Sequence, residues 1–183
     1  MSKTNLPVHI ATKEDAEELL SIYRPYVEKT TANMEFVAPS LEEFQYRISE
    51  YTKLYPWLVW KEEGKVLGYA YGSRHRGREG YQWSAEVSIY LAPEAHGKGI
   101  AGPLYQKLLN LMEAQGVINV YAVITLPNPG SVRFHEKLGF REYLVYKNGG
   151  NKFGQWHDIL WMIKILGKGY ASNPIPPTPR IKN

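Results

Sequence analysis

The sequence predicts a single α/β (α+β) domain with a mostly antiparallel central sheet flanked by helices. Three observations predict it. The chain has 183 residues, and at roughly 100–200 residues per domain that is one unit. Segments with helical apolar spacing, two of them led by capping boxes, are interleaved with strand-length apolar runs. Finally, 44% hydrophobic and 22% charged residues is a globular balance that excludes a disordered or fibrous chain. The expected domain covers residues 1–170, and residues 171–183, with four prolines, read as a Pro-rich extended tail.

The elements follow in order. Thr12-Lys-Glu-Asp15 has the form of a capping box, and Ala16, Leu19, Leu20, Ile22, Tyr23, Tyr26 and Val27 continue it as an amphipathic helix with a bend expected at Pro25. A polar and aromatic loop, Thr30 to Pro39, leads to a second box, Ser40-Leu-Glu-Glu43, opening a helix expected to run to about Leu54. Trp57 to Lys61 and Val66 to Tyr71 flank a Glu-Gly turn and read as a hairpin. Arg74 to Gly80 is a basic loop. Ser84 to Leu91 is a strand with Val87, Ile89 and Leu91 on one face and Glu86, Ser88 and Tyr90 on the other. A glycine-rich turn then precedes a helix from about Pro103 to Ala114. Val117 to Thr125 is a buried strand, Ser131 to Leu138 a short helix stopped by Gly139, and Arg141 to Tyr146 and Trp156 to Ile165 two final strands.

Several function classes drop out on composition. There is no Cys, which excludes a disulfide framework, a thiolate metal site and a cysteine nucleophile. The five His residues lack metal-ligand spacing, so no metal is expected. A net charge of +4, with 22 basic residues scattered among 18 acidic ones, gives no dense basic stripe for nucleic acid. No apolar stretch approaches the ~20 residues of a membrane span. Met1 to Ile10 is polar and lacks the apolar core of a signal peptide, so the cytoplasm is the expected location. The 14 Tyr and 5 Trp exceed what one core of this size needs and point to aromatic surface for a two-fold homodimer as well.

Gly97-x-Gly99-x-x-Gly102 matches the dinucleotide fingerprint in form only. Ala92-Pro-Glu-Ala-His96 separates the strand from the first glycine, and Val120 to Thr125 carries no acid where the ribose ligand belongs. A phosphate-binding loop of the Walker type also fails, because Ala92 replaces its first glycine and Gly99 follows Lys98. What remains is a run of small residues before a helix, either a backbone cradle for a pyrophosphate or a tight turn without ligand.

The surrounding order of motifs is informative. A strand, His96-Gly-Lys-Gly-Ile-Ala101, a helix, a strand, Asn128-Pro-Gly-Ser131 and His135-Glu-Lys-Leu-Gly-Phe140 together resemble the GNAT superfamily of acetyl-CoA-dependent N-acetyltransferases from about Val8 to Ile165. Tyr26-Val-x-x-Thr-Thr-Ala, Arg76-x-Arg78-x-x-Tyr81, Leu126-Pro-Asn-Pro-x-Ser131 and Gly154-x-Trp-His-Asp158 resemble its phosphinothricin and methionine sulfoximine branch. The resemblance implies a GNAT-like fold and a homodimer that acetylates the α-amino group of a small amino acid. Acetyl-CoA would be held by the backbone of Ile89, Tyr90 and Leu91, by the loop Gly97, Lys98, Gly99, Ile100, Ala101 and Gly102, and by Asn128. Glu94 stands where relatives carry Gln or Arg.

Acetyl transfer to an amine needs a proton acceptor for the ammonium, a donor for the oxyanion and a proton for the leaving thiolate. Glu86, on the polar face of its strand, is the candidate base, with a surface or salt-bridged glutamate as the alternative. His135 is a candidate acid or second base, or a structural helix residue. An N–H near Ile89 would serve the oxyanion, and direct transfer in a ternary complex is expected. Arg76 and Arg78, two apart, are candidates for the substrate carboxylate or plain surface charge. Met34, Glu35 and Phe36 are candidate pocket residues, and Trp156-His157-Asp158 either closes that pocket or is structural. Two other readings remain: a protein or peptide N-acetyltransferase, and a non-catalytic acyl-CoA sensor.

Overall fold

The computed structural model describes residues 7–170 and Pro177. Along the chain run β1 (Val8–Ile10), α1 (Ala16–Lys29), α2 (Leu41–Tyr51), β2 (Trp57–Glu62), β3 (Lys65–Arg74), β4 (Ser84–Leu91), α3 (Ala101–Gln115), β5 (Asn119–Thr125), α4 (Pro129–Lys137), β6 (Arg141–Lys152) and β7 (Gln155–Ile165). The strands form one seven-stranded sheet in the order β1-β2-β3-β4-β5-β7-β6. Every neighbouring pair is antiparallel except β4 and β5. The predicted architecture holds, and the expected tail lies outside the described residues apart from Pro177.

Local chemistry accounts for the boundaries. The Thr12 box is complete: the Asp15 carboxylate accepts from the Thr12 N–H at 2.9 Å, closing a 3₁₀ turn that leads into α1. The helix continues past Pro25 to Lys29. Ser40 Oγ accepts from the Glu43 N–H at 3.1 Å, while the Glu43 carboxylate pairs with Arg47 one turn on. Helix α2 ends at Tyr51, earlier than its apolar pattern suggests, because Tyr55 precedes a proline and must leave the helical region. The β2–β3 hairpin turns at Glu63 and Gly64, both at positive φ, as a two-residue turn requires.

Both faces of the sheet are covered. On one, the rings of Tyr69, Tyr71 and Tyr90 meet Tyr23 and Tyr26 of α1 and Tyr51 of α2, and Trp57 stacks on Tyr71 at 4.2 Å. On the other lies α3, with Leu104, Tyr105, Leu108, Leu109 and Met112 buried. Truncating any of these leucines costs about 2–5 kcal/mol in transfer and cavity energy. Gly68 lets β3 and β4 approach closely, since a Cβ there would lie 2.9 Å from the Tyr90 carbonyl oxygen. Among the described residues no helix is long and apolar enough to cross a membrane.

One strand was not anticipated and two need correction. Strand β1 is too short to show a period, and its pairing with β2 defines it. Strand β5 begins at Asn119, because the Val117 N–H still bonds to Met112 O at the end of α3. Strand β6 extends to Lys152 instead of Tyr146. Lys147 to Asn151 reads as a turn, but the ladder with β7 carries it across a register shift between Tyr146 and Gly150.

Candidate active site

Strands β4 and β5 pair only from Ser84↔Asn119 to Glu86↔Tyr121 and then part. A cavity of about 180 Å³ opens in the gap, lined by Val87 to Tyr90, Ala122 to Thr125, Tyr26, Asn128, Ser131 and His135. Register decides which backbone groups it receives. The Ala92 N–H bonds to Leu67 O, so Tyr90 and Ser88 exchange their hydrogen bonds with β3. The polar groups of Val87, Ile89 and Leu91 therefore face the gap. The Leu91 carbonyl already accepts from Tyr26 Oη at 2.8 Å. Ile89 and Leu91 thus turn their main-chain groups to the gap, whereas Tyr90 contributes its side chain to the aromatic core.

Below the gap the glycine loop runs into α3. Gly97 and Gly99 have φ of +78° and +76°, with open space where a Cβ would project. The first N–H groups of α3 have no partner within the helix, so small residues and free donors coincide. A second cavity, lined by Ile89, Leu91, His96, Ala101 and Gly130, continues the cleft past this loop. This is a cradle that fits a pyrophosphate with a polyamide arm. Lys98 lies exposed in it, and Ile100 is buried beneath it. Glu94 is tied to Lys65 at 2.5 Å, and that ion pair holds its carboxyl below the usual range. Asn128 caps α4 through Oδ1, which accepts from the Ser131 N–H at 3.1 Å.

Glu86 occupies the fork where the strands separate, with its side chain 30% exposed. Its Oε1 lies 3.0 Å from Nδ1 of His75, a neighbour the sequence reading missed. Ser73 pairs with Glu86, and His75, two residues on and just past the end of β3, returns to the same face. His135 is buried on α4. Its Nδ1 is 2.8 Å from Ser131 O and its Nε2 is 2.9 Å from Tyr105 Oη. A carbonyl only accepts, so Nδ1 carries the proton and Nε2 accepts from the tyrosine. Burial lowers the imidazole pKa and raises that of the Tyr105 hydroxyl, leaving both neutral.

The remaining candidates lie in two other places. Arg76 and Arg78 line a cavity of about 170 Å³ with Arg74, Tyr55, Gln82, Gln115 and Pro177, and no residue lines both this cavity and the cleft. The structure brings the arginines together in one cavity, and Glu86 lines neither that cavity nor the cleft. In the first loop, Met34 packs on β6, where a Cβ at Gly150 would meet its sulfur at 2.9 Å. Glu35 pairs with Arg47 at 2.5 Å, while Phe36 is 72% exposed and lines no cavity described here. Lys152, unanticipated, is buried and donates to Asn33 O at 2.9 Å, tying the β6–β7 hairpin to this loop. Trp156 is exposed, His157 Nε2 lies 3.3 Å from Lys152 O, and Asp158 accepts from Lys147 and the Asn148 N–H within the hairpin, and none of the three lines the cleft. Among the described residues no three His, Asp or Glu side chains are grouped as metal ligands.

Alongside this split sheet and glycine cradle, the chain matches the acetyltransferase (GNAT) domain family over residues 8–161 and belongs to it. It is 36% identical to a phosphinothricin N-acetyltransferase of Streptomyces viridochromogenes over 99% of this chain and 100% of that one. It is 33% identical to an L-methionine sulfoximine/L-methionine sulfone acetyltransferase of Pseudomonas paraeruginosa, over 81% of this chain and 87% of the relative. A crystal structure of a phosphinothricin acetyltransferase from Sinorhizobium meliloti in complex with AcCoA superposes with a TM-score of 0.88, at 38% identity and 92% coverage of each chain.

Proposed function

We propose that residues 1–170 act as one domain that transfers the acetyl group of acetyl-CoA to the α-amino group of a small amino acid of the phosphinothricin or methionine sulfoximine type. The observation that carries this is the gap between β4 and β5, along which the main chain of Val87, Ile89 and Leu91 turns away from β3, from the fork at Glu86 toward the glycine cradle. Acetyl-CoA supplies an activated thioester. The loop 97–102 would hold its pyrophosphate, Ile89 and Leu91 its arm, and Asn128 the far wall. The Ile89 N–H, fixed by the sheet, is the oxyanion donor.

Glu86 takes the first ammonium proton, the amine nitrogen bonds to the thioester carbon, the carbon–sulfur bond breaks, and the departing thiolate takes the second proton that the nitrogen sheds as the amide forms. Glu86 is favoured over His135 as the base because both imidazole nitrogens are engaged. Transfer is direct, within a ternary complex. Thiol release from acetyl-CoA, followed across free amino acids, short peptides and no amine, separates the readings. Release with the free amino acids above the peptide rate is expected. Release with peptides alone assigns a peptide substrate, and binding without release assigns a sensor.

Arg76 and Arg78 supply the charge for the substrate carboxylate in this reading. Arg78→Ala is expected to raise KM for carboxylate-bearing substrates about 10-fold or more, while decarboxylated analogues change little. Equal effects on both sets confine the arginines to their own cavity. The assembly is a homodimer. Tyr143, Tyr146, Phe153 and Trp156 are exposed on β6, the following turn and β7, where β6 is a long edge strand that a second copy would cover. Light scattering is expected to give twice the chain mass. A concentration-independent monomer contradicts it.

A further inference from the structure

We propose that His75 is a positioning residue for Glu86, an inference that rests on the acetyl-transfer reading above. His75 lies just beyond β3, and the Ser73↔Glu86 pairing returns it to the face that carries the glutamate. Its ring is held on three sides. It stacks on Tyr121 at 4.6 Å between centroids and 25° between planes, and meets the edges of Trp161 at 5.6 Å and Tyr81 at 6.5 Å. The side chain is 14% exposed. The titratable groups facing it are Glu86 from β4, Tyr121 from β5 and Tyr81 from the turn before β4.

A glutamate side chain at a strand fork has three rotatable bonds and much freedom to lose. The ring at 75 removes that freedom at one oxygen. A carboxylate only accepts, so the Nδ1 proton of His75 donates to Oε1 across the 3.0 Å contact. That leaves Oε2 to receive the ammonium proton. The arrangement is a hydrogen-bonded pair in which the carboxylate touches substrate and the imidazole orients it. His75 acts through Glu86 and has no separate step.

Two variants separate orientation from packing. His75→Phe keeps a ring among the aromatics and removes the donor. His75→Asn places an amide N–H close to the Nδ1 position and removes the ring. For His75→Phe, kcat is expected to fall about 10- to 100-fold, the worth of a hydrogen bond to a charged group, with KM for amine and acetyl-CoA within twofold. His75→Asn is expected to recover most of kcat. Combined with Glu86→Gln, His75→Phe is expected to cost nothing further, since the pair acts as a unit. Wild-type kcat in His75→Phe, equal losses in the Phe and Asn variants, or additive losses in the double variant overturn the positioning role while leaving Glu86 as base. Wild-type turnover in Glu86→Gln alone removes the base reading, and this proposal with it.

Discussion

Glu86→Gln is expected to reduce kcat by ~10²–10⁴ with little change in KM for either substrate, the span associated with losing a general base. The substitution keeps the shape of the side chain and its ability to accept from His75 Nδ1, which now lies 3.0 Å from Oε1. Only the capacity to take a proton is lost. Steady-state kinetics at neutral pH with saturating acetyl-CoA make the comparison. Near-normal turnover would move the base elsewhere, with His135 first to be tested despite its two occupied nitrogens.

Gly99→Pro should all but abolish cofactor binding. Gly99 sits at φ +76°, and proline is locked near φ −65°, so the loop cannot keep its path. The change also deletes a main-chain donor from the cradle. Several charge-assisted hydrogen bonds are lost together, and acetyl-CoA affinity is expected to fall more than about 100-fold. Calorimetric titration of a variant with a wild-type melting profile is the measurement. Unchanged affinity would place the pyrophosphate elsewhere in the chain.

The parts of the molecule legible in the sequence are those whose cause is local. Strand β4 shows its alternation directly, and the starts of the first two helical segments are marked by the boxes at Thr12 and Ser40, whereas the Asn128 cap starts α4 at Pro129, two residues before the Ser131 expected. The glycine cradle is legible because positive φ next to a helix start needs a particular residue type.

What stayed hidden depends on partners distant in sequence. Which of Ile89, Tyr90 and Leu91 turns its backbone to the gap follows from the register of β3, fixed by the Ala92 to Leu67 bond. The tie between His75 and Glu86 is obscured because Arg74 to Gly80 reads as a charged loop, although β3 carries pairing up to Arg74. That the arginines line a cavity sharing no residue with the cleft is a fact of the fold alone. So is Lys152, whose Asn-Lys-Phe-Gly context suggests an exposed turn, yet whose ammonium is buried against Asn33. Phe36 illustrates the converse: an aromatic in the long loop after α1 stays exposed and lines neither the cleft nor the arginine cavity.

The central claim is that an acetyl group passes from the cofactor to an α-amino nitrogen. Acetyl-CoA labelled with ¹³C in the acetyl group, incubated with the protein and methionine sulfoximine or phosphinothricin, tests it by NMR and mass spectrometry of the product. The account predicts one acetyl group per amino acid, on the α-nitrogen, with one free thiol released for each. Label that stays on the thioester, or appears only on the protein itself, would contradict it.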